Sequence, residues 1–169
     1  DRYRNVSDSI WNDWHWQTTH RIRTAEELSR YIDLSESENK AINSDNKTIA
    51  FSITPYYLDV ITAAGRGSVL RKTVIPALQE LERDTTDRDD PLGEHSQTIT
   101  ECLVHRYPDR VLFLATDFCS TYCRYCTRSR IVGKKELSRS CRHKQWEAAL
   151  DYIRATPAIR DVQIGRAHV

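Results

Sequence analysis

Three cysteines in one short stretch constrain this 169-residue chain more than any other feature. The stretch from Val111 to Arg130 reads VLFLATDFCSTYCRYCTRSR and places Cys119, Cys123 and Cys126 in a Cys-x-x-x-Cys-x-x-Cys array directly after an apolar run. An iron–sulfur cluster of four irons usually takes four cysteine ligands. Three thiolates can bind such a cluster and leave one iron open to a further ligand. The spacing therefore predicts a cluster loop with an open coordination site.

A zinc site is the main alternative, because zinc in proteins is normally enclosed by four Cys or His ligands. The nearest candidates for a fourth ligand are Cys102, His105, Cys141 and His143, none of which stands in a Cys-x-x-Cys or His-x-x-x-His pair. A disulfide framework is disfavoured for cysteines this close together in a chain without secretory features. Unreactive buried thiols are the remaining alternative. The spacing favours the cluster over all three.

Charge and hydropathy narrow the class of protein. The chain has 25 basic and 24 acidic residues, a net charge of +1, which gives no electrostatic argument for nucleic acid or an anionic membrane as partner. No apolar run approaches the roughly 20 residues of a membrane-spanning helix, and the first residues lack a signal-peptide pattern. We therefore expect a cytoplasmic protein. The absence of Met further predicts that the sequence is a fragment at its N-terminus.

Residues 1–104 are predicted to form a helical arm and packing region. Capping residues predict three short helices, which begin after Thr24, Ser35 and Thr54. Apolar periodicity predicts a further helix over 69–83, kinked or restarted at Pro76. Three tryptophans in the first segment predict packing against the domain body or a neighbouring subunit: Trp11, Trp14 and Trp16.

The pattern changes after Arg110. Residues 111–116 form a short apolar run typical of a buried parallel strand, 142–155 have the periodicity of an amphipathic helix, and a second strand begins at Asp161. This order predicts a right-handed βαβ unit with the cysteines at the carboxyl end of its first strand, where barrel enzymes place their chemistry. The predicted fold is α/β: a helical segment followed, over 105–162, by the first βαβ unit of a truncated barrel.

Longer sequence blocks resemble one family within the radical S-adenosylmethionine (SAM) superfamily, whose signature is similar to the cysteine array. The blocks, in family order, are WNDWHWQ (11–17), ITPYYLDVI (53–61), DPLGE (90–94), HRYPDRVLFL (105–114), CTR (126–128) and DYIRATPAIRDV (151–162). They resemble the lysine 2,3-aminomutase family. The resemblance implies that the barrel is a radical SAM (β/α)6 barrel and that this chain is an N-terminal fragment of it.

The resemblance also implies an activity. Family members move the α-amino group of an amino acid, L-lysine in the first instance, to the β-carbon with a 4Fe-4S cluster, SAM and pyridoxal 5′-phosphate (PLP). SAM yields a 5′-deoxyadenosyl radical that abstracts a hydrogen from the substrate, and PLP forms an imine with the migrating nitrogen. The implied partners are a small-molecule amino acid, an electron donor such as flavodoxin or ferredoxin, and further copies of the full-length chain.

Other functions stay open. Glutamate or arginine 2,3-aminomutase is one enzyme alternative, and a relative that modifies a lysine of a translation factor is another. A metal-binding module is the alternative outside enzymes. The fragment alone is expected to be inactive, with no catalytic residue of its own.

Five residues of the cysteine segment take roles from the resemblance. Cys119, Cys123 and Cys126 match the cluster ligands. Tyr125 stands where family members contact the SAM adenine. Arg128 matches the arginine that binds the substrate carboxylate, for which a guanidinium fork is well suited. The alternative for Arg128 is a salt bridge within its own loop.

Two arginines in the HRYPDR block are candidates for binding the PLP phosphate. They are Arg106 and Arg110, and a structural ion pair with Asp90 or Asp109 is an equal alternative for them.

Parts of the family's site are expected beyond this sequence. The family's PLP lysine is among them, so Lys134 and Lys135 are interpreted as solvated surface. A strand leading into a Ser-Gly-Gly-Asp segment should follow Val162, but the sequence reads QIGRAHV. Codons for this heptapeptide match a common sequencing adapter read in frame, so 163–169 are predicted to be a non-native tail.

Overall fold

The computed structural model describes residues 3, 5–45, 50–82, 86, 88–116, 118–129, 131–132 and 143–165. Its helices are α1 (Asp8–Trp11), α2 (Trp14–Thr19), α3 (Ala25–Ser29), α4 (Glu36–Asn43), α5 (Pro55–Ala64), α6 (Val69–Lys72) and α7 (His143–Ala155), with 3-10 helices at Leu78–Leu81 and Glu94–Gln97. Its strands are β1 (Thr98–Thr100), β2 (Leu103–Tyr107), β3 (Arg110–Leu114) and β4 (Asp161–Gly165). These elements form two compact units: a first unit of Asp1–Asp84 with Ser120–Cys126, and a second unit of Thr85–Cys119 with Thr127–Val169.

The helices of the first unit begin where the capping signals predict. Ser35 and Glu38 form a complete capping box, with the Ser35 N–H donating to the Glu38 carboxylate at 2.8 Å and the Glu38 N–H donating to the Ser35 hydroxyl at 3.2 Å. The Thr54 hydroxyl accepts from the N–H of Tyr57, and Pro55 is the first residue of α5. Gly65 ends this helix with a φ of +84°, a conformation that favours glycine. The Thr24 hydroxyl likewise caps α3.

The predicted helix over 69–83 is wrong as one element. The helix α6 ends at Lys72, and a 3-10 helix begins only at Leu78. Pro76 explains the gap, since proline cannot donate a backbone hydrogen bond and disfavours helical geometry in the residue before it. The expected restart is thus observed as a 3-10 helix.

A hydrophobic core fills the first unit. Its buried members include Ile22, Leu28, Ile42, Phe51, Ile53, Leu58, Ile61 and Val74. A bridge between Ile22 and Ile53 joins the segment after α2 to the segment before α5. Burial of such side chains is the main stabilising contribution in a unit of this size.

Aromatic side chains near the N-terminus pack against one another. Trp11 and Trp16 each lie 5.5–5.8 Å from the ring of Tyr3, which stacks on Tyr31 at 5.8 Å. Two of the three tryptophans therefore pack within the first unit, as one alternative predicted. Trp14 is exposed.

The second unit contains a four-stranded sheet with the order β1-β2-β3-β4. Strands β1, β2 and β3 are antiparallel, whereas β3 and β4 are parallel, with Val111 opposite Val162. The helix α7 connects the parallel pair and packs Ala149 against Leu103 and Val111. The predicted strand–loop–helix–strand order with a parallel pair is confirmed. The observed class is α/β with a mixed sheet, and the (β/α)6 barrel remains a prediction.

The hairpin of β2 and β3 was not predicted. Its turn is Pro108–Asp109, flanked by the pair Tyr107 and Arg110. Proline is favoured at the first central position of a tight turn, so Pro108 in the HRYPDR block could have predicted this turn.

The first residues of the predicted tail continue a strand. Gln163, Ile164 and Gly165 lie in register with Leu112, Phe113 and Leu114 of β3. Residues 166–169 lie outside the described part of the chain, as do Lys134, Lys135 and Cys141. Across the described ranges, none of the helices combines the length and the apolar character that crossing a bilayer requires.

Candidate functional site

The cysteine segment follows the carboxyl end of β3. Cys119, Cys123 and Cys126 are all reduced, outside any disulfide bond, and of intermediate exposure. The Cys126 N–H donates to the Cys123 carbonyl at 3.3 Å, so the last two cysteines lie on one turn. In the division into compact units, Cys119 belongs to the second, and Cys123 and Cys126 belong to the first.

The donor set suits a three-cysteine iron–sulfur site in kind and number. Three thiols that are neither buried nor oxidised lie within eight residues, and thiolates are the ligands that such clusters take. Within the described ranges, no three His, Cys, Asp or Glu side chains are gathered as ligands of a single metal ion. The support for a metal centre is therefore the chemistry of the donors and their spacing.

The residues considered as a fourth zinc ligand do not add to this set. Cys102 is completely buried and disulfide-bonded, and His105 forms a 2.8 Å hydrogen bond through Nδ1 to the Tyr152 hydroxyl. Cys141 and the side chain of His143 lie outside what the structure describes. The described residues thus offer no closed zinc site.

The first unit holds the segment Ser120–Cys126 through its backbone. The Tyr122 N–H donates to the Ser52 carbonyl at 2.9 Å, and the Arg124 N–H donates to the Thr73 carbonyl at 2.8 Å. These two bonds fix the backbone immediately before and after Cys123.

The Arg124 side chain adds a second anchor. Its Nε and Nη2 donate to the Glu80 carboxylate, with the closest contact at 2.5 Å, and its Nη1 donates to the Ala50 carbonyl at 3.4 Å. Only 7% of this side chain is exposed. An arginine buried this way between two cysteines sets the conformation of the turn that carries them.

The side chain of Tyr125, unlike that of Arg124, is exposed. Tyr125 is 71% exposed, so its side chain is accessible to a ligand, and the contact with the SAM adenine stays a prediction. The negative charge of Cys123, together with a hydrogen bond between the two side chains, raises the pKa of Tyr125 above its ordinary value.

Arg128 lies two residues after the last cysteine and pairs with a carboxylate from another part of the second unit. Its Nη2 donates to Glu94 Oε1 at 2.6 Å and its Nε donates to Glu94 Oε2 at 3.2 Å. The alternative considered for Arg128 was a salt bridge within its own loop, but the partner lies 34 residues earlier. Sequence reasoning missed Glu94, although it ends the DPLGE block.

The two candidate PLP-phosphate residues have protein partners. Arg110 pairs with Asp109 at 3.0 Å, which is the structural alternative considered for it. Arg106 instead donates to the Leu92 carbonyl at 2.6 Å, not to Asp90. Both side chains are exposed, and their role toward PLP remains a prediction.

Comparison with known proteins gives the site its context. No protein-family model matches the chain. The L-lysine 2,3-aminomutase of Clostridium subterminale is 44% identical over 160 residues, which is 95% of this chain and 38% of that protein. The L-lysine 2,3-aminomutase of Bacillus subtilis is 42% identical over 96% of this chain and 34% of its own length. The glutamate 2,3-aminomutase of Clostridioides difficile is 34% identical over 95% of this chain.

These matches include the whole cysteine segment, because they extend over nearly all of this chain. The chain spans between about one third and two fifths of the length of the curated relatives that it matches. Over the part that it shares with them, this chain belongs to the L-lysine 2,3-aminomutase family.

Proposed function

We propose that this chain is part of a radical SAM 2,3-aminomutase that moves the α-amino group of an amino acid to the β-carbon. The observation that carries the proposal is the set of three reduced, partly exposed cysteines in the Cys-x-x-x-Cys-x-x-Cys array of a chain 44% identical to an L-lysine 2,3-aminomutase. The proposal includes a 4Fe-4S cluster, SAM and PLP as cofactors. The chain spans 38% of the length of that relative, and we expect it to be inactive by itself.

L-lysine is the proposed substrate. The relatives named for lysine are 44% and 42% identical to this chain, whereas the relative named for glutamate is 34% identical. Glutamate is the second candidate, and both amino acids carry the α-carboxylate that Arg128 would bind.

The reaction needs chemistry that protein side chains cannot provide. When bound, the cluster with SAM supplies a radical that removes a hydrogen from the β-carbon, and PLP carries the migrating nitrogen. The contribution of this chain is to bind and orient. Cys119, Cys123 and Cys126 would hold three irons, and the exposed ring of Tyr125 would contact the SAM adenine.

Arg128 would bind the α-carboxylate of the substrate amino acid and so hold the backbone end of the substrate. A guanidinium binds a carboxylate through two parallel N–H donors, which sets both distance and orientation. Holding reacting groups in the productive orientation can contribute several orders of magnitude to a reaction rate.

The first test concerns the metal. Anaerobic reconstitution of the chain with iron and sulfide should give a brown protein with iron and sulfide near four each per chain. Cys119→Ala, Cys123→Ala or Cys126→Ala should abolish the cluster, whereas Cys102→Ala, at a buried, disulfide-bonded cysteine outside the array, should retain it. Stoichiometric zinc without iron–sulfur absorption would favour a zinc-binding module and overturn the proposal.

The second test concerns the reaction. A full-length enzyme is made by replacing the aligned 160 residues of the Clostridium subterminale relative with those of this chain. With SAM, PLP and a reductant, it should convert L-lysine to the β-amino acid faster than L-glutamate. Preference for L-glutamate would assign the second candidate, and SAM-dependent turnover of neither would contradict the proposed function.

A further inference from the structure

Three arginines of this chain each donate from Nε and Nη2 to one glutamate. The pairs are Arg71 with Glu38, Arg124 with Glu80, and Arg128 with Glu94. All three pairs have the same two-bond geometry. Differences in side-chain exposure and in additional hydrogen bonds therefore show which guanidinium could bind a further ligand.

Arg128 is the least enclosed of the three. The side chains of Arg71 and Arg124 are both 7% exposed, and each also donates to a backbone carbonyl. The side chain of Arg128 is 23% exposed. Among the residues that the structure describes, its Nη1 has no hydrogen-bond partner.

A guanidinium can bind two carboxylates at once. It has five N–H donors in a plane, arranged as one edge formed by Nε and Nη2 and a second edge formed by Nη1 and Nη2. Glu94 occupies the first edge. The second edge can therefore receive another carboxylate without breaking the pair with Glu94.

Glu94 is held firmly enough to orient its partner. Its side chain is 4% exposed, and it is the first residue of a 3-10 helix that follows Gly93, whose φ is +64°. The Thr98 hydroxyl donates to the Glu94 carbonyl at 2.7 Å, and Arg106 binds the carbonyl of Leu92 just before it. A buried carboxylate whose backbone is held by hydrogen bonds at Glu94 and at Leu92 restricts the rotamer of the arginine that it binds.

The backbone of Arg128 is fixed as well. Its carbonyl accepts from the N–H of Ile131 at 2.9 Å and from the N–H of Val132 at 3.1 Å, and Val132 is buried. With the backbone and one edge of the guanidinium fixed, the direction of the other edge is determined.

We infer that Glu94 is a positioning residue, which orients Arg128 so that its Nη1–Nη2 edge receives the α-carboxylate of the amino acid. This inference rests on the proposed function. Because the guanidinium is already paired with Glu94, the inferred site would select a planar carboxylate by fork geometry more than by positive charge. An amine without a carboxylate gains nothing from this arrangement.

The test uses the full-length enzyme described above. Glu94→Gln keeps the size of the side chain but presents an N–H₂ group to one arginine donor, so the guanidinium loses its fixed orientation. We expect KM for L-lysine to rise between about tenfold and a hundredfold, with KM for SAM and the iron content unchanged. The inhibition constant of pentane-1,5-diamine, which is lysine without its carboxylate, should not change.

Two further variants separate positioning from stability. Glu38→Gln breaks the matched pair with Arg71, and it should lower the melting temperature without changing KM for L-lysine. Glu94→Asp keeps the charge on a shorter side chain, so it should restore folding if Glu94→Gln is unstable, yet still raise KM.

An unchanged KM for L-lysine in folded Glu94 variants of an active enzyme would overturn the inference and leave the proposed function standing. An equal rise for pentane-1,5-diamine would likewise assign Glu94 to general stability. Failure of the parent enzyme to bind or rearrange any amino acid would instead contradict the proposed function, and the inference with it.

Discussion

At the scale of single residues, Arg128 has to satisfy two demands. It balances the charge of Glu94, whose carboxylate is almost fully buried, and in the proposed function it binds the substrate. Removing one partner of a buried ion pair is costly, so any substitution of Arg128 acts on the fold and on the substrate together. A useful variant is one that keeps the charge and changes only the geometry.

Arg128→Lys is that variant. An ammonium group is a compact point charge, which can balance Glu94 but cannot offer two parallel donors to each of two carboxylates. In the full-length enzyme we expect kcat/KM for L-lysine to fall about a hundredfold or more, while the cluster content measured as iron per chain stays normal. Unchanged kinetics would show that another group binds the carboxylate.

The candidate site could be predicted from the sequence only where its residues are close together in the chain. The three cysteines and Arg128 lie within one segment, so spacing and resemblance identify them. Glu94 lies 34 residues from Arg128 and Glu80 lies 44 residues from Arg124. Neither pair follows from local pattern, because each depends on how the chain folds back on itself.

At the scale of elements, the turn that carries Cys123 and Cys126 depends on segments far from it in sequence. Carbonyls of Ala50, Ser52 and Thr73 and the carboxylate of Glu80 all accept hydrogen bonds from it. The short 3-10 helix Leu78–Leu81 thereby has a role that its sequence does not reveal: it places Glu80 against Arg124. Pro76, which interrupts the predicted long helix, is what makes this short element possible.

Glu80→Gln tests this role of the 3-10 helix. The substitution removes the charge that the Arg124 guanidinium binds, which should lower the free energy of unfolding of the chain by about 1–3 kcal/mol in urea denaturation. The reconstituted cluster should also lose iron faster to a chelator. Glu82→Gln, at an exposed position two residues later, is the control and should change neither quantity. Equal iron loss in both variants would refute a specific anchor.

At the scale of the whole molecule, some elements of the fold could be predicted from local sequence patterns, and others depend on contacts between distant segments. The helix starts and the βαβ order could be predicted from the sequence, because each depends on a few neighbouring residues. The antiparallel strands β1 and β2 could not, since short strands with little alternation carry a weak pattern. The barrel stays a prediction, because the described strands form one four-stranded mixed sheet and the chain spans 38% of the length of a matched relative.

Acid stability is a whole-molecule property that the structure lets us predict. Asp109 lies in the turn between β2 and β3 and binds Arg110 and, from the segment before β4, Arg160. Hydrogen bonds from Arg110 above all, and also from Arg160, lower the pKa of Asp109 to about 2. Because the folded pKa lies below the ordinary value of 3.8, this carboxylate stabilises the fold above about pH 4, and the contribution disappears as the pH falls toward 2.

Asp109→Asn should therefore lower the melting temperature of the chain at pH 5–7 and have progressively less effect as the pH approaches 2. The measurement is thermal denaturation across this range, followed by circular dichroism, for the unmodified chain and the variant. Asp59→Asn provides the control, since Asp59 is exposed on α5 and has no ion pair among the described residues. A difference between the unmodified chain and Asp109→Asn that stays constant from pH 7 to pH 2 would contradict the prediction, because a loss independent of protonation cannot come from the charge of this carboxylate.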